Sequence, residues 1–153
     1  MFTYDYVFGT VLNRFLTQLV AGIPLTIYGK GKQKRGYINI RDTIRCVRFA
    51  IENPPAAGEM RIFNQFSEIF SVNSLAEKVL EAGEAIGLSG EVQNIPNPRF
   101  ELEEHFYEVE NSGLRDLGWI PCLLTDEVIK RLLLWIRDNK FDINNDHATV
   151  GNH

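Results

Sequence analysis

A chain of 153 residues and 17.5 kDa has room for one domain with a core of its own. Its 44% hydrophobic, 11% aromatic and 24% charged content excludes collagen-like, low-complexity and disulfide-dense classes. The net charge of −4 is uneven: residues 1–60 hold eight Lys/Arg against four Asp/Glu, and residues 61–153 hold eight against sixteen, a pattern that suits a local anionic ligand better than a broad nucleic-acid-binding face.

In chain order, Val7, Phe8, Val11, Leu12, Phe15, Leu16, Leu19 and Val20 form a helical stripe that stops at Gly22 and Pro24. Leu25–Tyr28 reads as a short strand, 29–34 as a charged glycine turn, and Tyr37–Ile40 as a second strand. A helix is predicted over Arg41–Glu52, with Ile44, Val47 and Ile51 on one face, ending before Pro54-Pro55. Met60–Asn64 reads as a strand. Ser71 then caps a helix to about Ile86, with Leu75, Val79 and Ile86 buried. Residues 91–95 read as a strand that Pro96-Asn97-Pro98 breaks, and a short helix follows near 111–117. A last helix spans Thr125–Asp138, with Val128, Leu132 and Trp135 on one face and Ile129, Leu133 and Ile136 beside it. The expectation is mixed α/β: one domain over 1–141 and a polar, frayed tail over 142–153.

Cys46 and Cys122 lie far apart without a CxxC, which suits reduced thiols. No apolar run reaches the roughly 18 residues of a membrane span, and no leader pattern opens the chain. The expected compartment is cytoplasmic, with neither membrane nor nucleic acid as partner.

Several fingerprints fail. Gly29 and Gly31 have the opening spacing of GxGxxG, but Lys34 takes the third glycine's place, and Gly31-Lys32 is followed by Gln33 where a P-loop needs Ser or Thr. No metal motif occurs. Tyr28 and Lys32 have YxxxK spacing, yet Gly29-Lys30-Gly31 between them makes a turn where that pair needs a helix. What remains is 24–42. There glycines would let backbone approach an anion and Arg35 could hold phosphate in a bidentate fork, although a solvated hairpin tip has the same spacing. Pro96-Asn97-Pro98-Arg99 offers a second arginine, which Glu101 or Glu103 could equally pair.

Together these segments resemble part of the extended short-chain dehydrogenase/reductase family, the nucleotide-sugar epimerases and dehydratases. The resemblance rests on Tyr28-Gly29, on 35–42 against an Arg-Asp-aromatic-Ile-His-Val-x-Asp pattern, on Ile62-Phe63-Asn64, on Ser71-Val72 with Leu75-Ala76, and on Leu117-Gly118-Trp119 with Pro121. Gly36 stands where the wider family has Asp and singles out one branch. Lys32 and Lys34 make the turn more basic than the pattern, and Thr3 and Tyr6 depart from the branch's lead-in.

The resemblance implies the substrate-binding portion of such an enzyme: short strands, about five helices, and no Rossmann nucleotide-binding half. By it, Arg35 and Arg99 clamp the diphosphate of a UDP-sugar, Thr10 and Asn13 contact phosphate or sugar, and Thr26 and Tyr28 frame the uracil. Gln33 and Tyr37 touch ribose or sugar, and Glu101 a ribose hydroxyl. Amides at a helix N-terminus favour anions in any family, which supports Thr10 and Asn13 separately. NAD belongs to the family's complete enzyme; no cofactor, metal or catalytic role falls on this chain. A binding module without chemistry and a degenerate, self-associating remnant stay open as alternatives. If four apolar side chains of the first helix lost their partners, at ~1.5–3 kcal/mol each, the cost would rival a domain's net stability of about 5–15 kcal/mol. Rearrangement, a homo-oligomer through helix 7–20, or a partner chain supplying the Rossmann half is therefore expected.

Overall fold

The computed structural model describes residues 10–96 and 112–139. They fall into two units, one of 10–33, 71–96 and 125–139, the other of 34–70 and 112–124.

In the first unit, helix α1 (Val11–Ala21) begins at Thr10, whose side chain accepts from the Asn13 N–H. It ends at Gly22, which adopts the left-handed conformation (φ 72°) that glycine takes without steric cost. Strand β1 (Leu25–Tyr28) pairs in parallel with β4 (Val92–Ile95), Leu25 opposite Val92 and Tyr28 opposite Ile95. Helix α3 (Val72–Glu84) is capped by Ser71 and α5 (Asp126–Asp138) by Thr125, each side chain accepting from the amide three residues on. α1 packs on α3, α5 and β1. The core consists of Phe15, Leu16 and Leu19 from α1, Leu25 and Ile27 from β1, Leu75 and Val79 from α3, and Ile129 and Leu133 from α5. On α5 the buried row is Ile129, Leu133 and Ile136, while Trp135 is exposed.

In the second unit, β2 (Lys34–Tyr37) pairs with β3 (Glu68–Ser71). Helix α2 (Ile40–Glu52) starts at the Asn39 cap, and α4 (Ser112–Asp116) is a single short turn. Leu114, Trp119 and Cys46 form its buried cluster, with Ile38, Phe49 and Phe63 packed against it. The carboxylate of Asp42 is wholly buried. It accepts from the Cys122 N–H at 2.6 Å and from Arg45 at 2.8 Å, and Arg45 also donates to the Ile120 carbonyl at 3.0 Å. A buried carboxylate is tolerable only when held this way.

The structure corrects three expectations. The second strand lies three residues earlier than read, because Asn39, its backbone still extended, is spent on capping α2 and Ile40 opens the helix. Met60–Asn64 forms no strand among the described residues, and Met60 and Ile62 are exposed; a ladder forms instead at Glu68–Ser71. The described part of helix 7–20 does not present a wet apolar face, since Phe15, Leu16, Leu19 and Val20 are all buried within their own unit. That removes the physical reason given for association through this helix. The exposed apolar row is on α2, where Ile40, Ile44, Val47 and Ile51 lie outside and Asp42 and Cys46 inside.

Candidate functional site

The turn from Gly29 to Gln33 is held from behind by side chains and helix amides. Gly29 and Gly31 both have positive φ (63° and 69°), and a Cβ at Gly31 would run into the Asn73 side chain and Ile27. Four of the turn's five carbonyls are engaged. Gly29 O accepts from Asn94 at 2.7 Å, Lys30 O from the Asn73 side chain at 3.0 Å, Gly31 O from the Asn73 N–H at 3.0 Å, and Gln33 O from the Val72 N–H at 3.3 Å. The first amides of α3 are thereby spent on the turn, so this helix N-terminus offers nothing to an anion. Lys30 and Lys32 stand at the exposed front.

The edge of β1 away from β4 is closed by side chains of α1. The Gln18 amide donates to Thr26 Oγ1 at 2.8 Å and accepts from the Thr26 N–H at 3.1 Å, while Arg14 donates to the Thr26 carbonyl at 2.9 Å. Gln33 donates to the Tyr28 carbonyl at 3.4 Å. The Arg14 guanidinium lies over the Tyr28 ring, 5.3 Å from its centroid, and 5.7 Å from that of Phe15. Burial pulls Arg14 below its ordinary pKa, an effect the facing Tyr28 phenol opposes. Tyr28 is thus brought against the first turns of α1, where Thr10 and Asn13 sit.

In the other unit, Arg35 and Tyr37 alternate along β2 and share a face, and Arg35 donates to the Lys34 carbonyl at 3.0 Å. The Tyr37 ring packs on Phe70 with centroids 5.7 Å apart, and its carbonyl accepts from the Ser67 N–H. Its hydroxyl is buried without a hydrogen-bond partner among the described residues. Burial raises its pKa above the ordinary value, against the lowering effect of Arg35.

Of the residues singled out in the sequence, Thr10, Asn13, Thr26, Tyr28 and Gln33 come together in one unit, and Arg35 and Tyr37 lie in the other. Arg99 and Glu101 lie outside the described residues. Arg14, Gln18, Asn73 and Asn94 escaped the sequence reading. Arg14 and Gln18 had a signal, two polar residues four apart beside an apolar stripe; the two asparagines act on turns 43 and 65 residues away and had none.

Residues 6–64 match the NAD dependent epimerase/dehydratase family. Over 132 residues, 86% of the chain, the sequence is 53% identical to the chloroplastic UDP-sulfoquinovose synthase of Spinacia oleracea, and 46% identical to the UDP-sulfoquinovose synthase of Sulfolobus acidocaldarius. Over that stretch this chain is similar to the UDP-sulfoquinovose synthases. It spans 27% and 34% of the length of those two relatives. Among solved structures, a UDP-glucose 4-epimerase of Thermotoga maritima, crystallised with UDP-glucose, superposes with a TM-score of 0.69 at 22% identity. The overlap is 88% of this chain and 41% of the epimerase. The mixed α/β fold, with five helices and short strands among the described residues, is therefore one that epimerases of this kind contain as a part.

The glycine turn does not fit a dinucleotide. It leads into β2 where a pyrophosphate site needs a helix N-terminus, and Lys34 replaces the third glycine.

Proposed function

We propose that this chain is the UDP-sugar-binding portion of a UDP-sulfoquinovose synthase-like enzyme, which joins sulfite to UDP-glucose in sulfosugar biosynthesis. The 53% identity to the spinach relative carries the reading. The latched edge of β1, with Tyr28 set against the start of α1, supports it from the geometry.

In this reading Arg35 and Arg99 hold the pyrophosphate, and Thr10 and Asn13 approach its oxygens or the sugar from the start of α1. Tyr28, with Thr26 behind it, frames the uracil; Gln33 and Tyr37 contact ribose or sugar, and Glu101 a ribose hydroxyl. A guanidinium pair suits a pyrophosphate because each planar fork can bind two oxygens. The role of the chain is binding and orientation, in a cytoplasmic setting that two free cysteines suit. Hydride transfer by NAD is the work of the complete enzyme, and these residues are assigned no part in it.

Calorimetric titration of the full chain with UDP-glucose tests this. Arg35→Ala and Arg99→Ala should each weaken binding by about tenfold or more, the scale of one charge-assisted contact. Heat unaffected by either substitution, or none in the unaltered chain, would refute the assignment.

A further inference from the structure

Arg14 is an expensive residue where it sits. It projects from the second turn of α1 toward β1, part-buried, with no carboxylate among the described residues to pair it. Its Nε is buried with no hydrogen-bond partner among the described residues. A cation kept from water without a counter-ion costs stability, and a leucine or methionine at this place would avoid the cost. What the guanidinium does there is fix two things at once, the carbonyl of Thr26 at 2.9 Å and the ring of Tyr28 at 5.3 Å.

The rest of that edge narrows what Tyr28 is for. The N–H and Oγ1 of Thr26 are taken by Gln18, its carbonyl by Arg14, and the Tyr28 carbonyl by Gln33. With those groups engaged inside the protein, the Tyr28 ring is the broad apolar surface that this edge can offer a flat, uncharged base. Its position then sets how well the base is received.

We propose that Arg14 is a positioning residue for nucleotide-base recognition, holding the Tyr28 ring in the place where it meets the base of a nucleoside diphosphate sugar. The proposal rests on the UDP-sugar reading above. Arg14 acts through Tyr28 and does not itself touch the ligand. Lysine cannot replace it, since an ammonium lacks the planar fork that reaches a carbonyl while lying on a ring.

A double-mutant cycle on the full chain tests it, with UDP-glucose as titrant. Arg14→Met and Tyr28→Leu should each raise the dissociation constant about tenfold, and the double variant should bind no worse than Tyr28→Leu alone, because Arg14 has nothing to position once the ring is gone. Arg14→Lys, which keeps the charge and serves if the Met variant does not fold, should behave like Arg14→Met. Unchanged affinity in the Arg14 variants, or losses that multiply to about a hundredfold in the double variant, would overturn the proposal. An unaltered chain that takes up no UDP-glucose would instead sink the reading beneath it.

Discussion

Asn73 holds the turn at Gly31 twice over: its N–H donates to the Gly31 carbonyl and its side-chain amide to the Lys30 carbonyl, both at 3.0 Å. The same side chain fills the space where a Cβ at Gly31 would project. Helix α3 and the glycine turn therefore lock each other, the turn carbonyls capping the helix and the helix fixing the turn.

Gly31→Ala should accordingly cost about 2–4 kcal/mol, combining left-handed backbone strain with the clash against Asn73 and Ile27. Gly22 is the control. It has similar positive φ (72°) with nothing among the described residues within 4 Å of an added Cβ, so Gly22→Ala should show only the backbone cost, about 1 kcal/mol. Urea unfolding of both variants checks this, and equal losses would show that packing at Gly31 adds nothing.

Asp42 and Glu52, both on α2, should respond in opposite ways. Asp42→Ala strips the buried acceptor from Cys122 N–H and Arg45 and should destabilise by about 3–5 kcal/mol. Glu52 pairs with Arg48 in the open, so Glu52→Ala should leave the urea midpoint where it is. Comparable shifts in the two midpoints would contradict the structural role of Asp42.

The contrast on α2 also shows where the sequence was legible. Elements with local signals were read closely: β1 between Pro24 and Gly29, and the helices after Ser71 and Thr125, whose hydroxyls cap them as their sequence positions imply. β2 was misplaced because Lys34, Arg35 and Gly36 carry no apolar alternation, while Ile38 and Ile40 mimic one that the Asn39 cap interrupts. Ile44, Val47 and Ile51 do share a face, but periodicity cannot say which face meets the core, and here the answer depends on the long-range bond from Cys122 to Asp42. At the candidate site, aromatic and glycine positions were visible. Arg14 and Gln18 showed only as two polar residues four apart beside an apolar stripe, a pattern that gains meaning once β1 folds back onto it.

Ile44→Ser measures that outward face directly. A buried isoleucine cut to a small residue costs about 2–5 kcal/mol; at its exposed position Ile44→Ser should change stability by no more than about 0.5 kcal/mol. A loss in the core range would place Ile44 inside.

Tyr37 joins stability, pH and ligand in one side chain. Its hydroxyl is buried without a partner among the described residues, so Tyr37→Phe keeps the ring on Phe70 and should leave the protein equally stable or about 1 kcal/mol more so. If the hydroxyl serves the sugar, the same variant should bind UDP-glucose more weakly, an opposition of stability and affinity that a merely structural tyrosine would not show. The pH dependence has a definite sign. Burial raises Tyr37 above its ordinary 10.0, against Arg35, and raises Cys46 above its ordinary 9.0, with Asp42 adding to the effect. Each group stays protonated in the folded protein at a pH where the unfolded chain releases its proton. Their contribution is therefore fully present below the unfolded values, begins to fall at about 9 for the thiol and about 10 for the phenol, and is lost as pH rises through each raised folded value, at up to about 1.4 kcal/mol per pH unit for each group. Urea unfolding from pH 8 upward should show stability falling, less steeply above about pH 10 in Tyr37→Phe and less steeply from about pH 9 in Cys46→Ala. Identical slopes in all three proteins would mean that neither group is protonated more tightly in the fold than out of it.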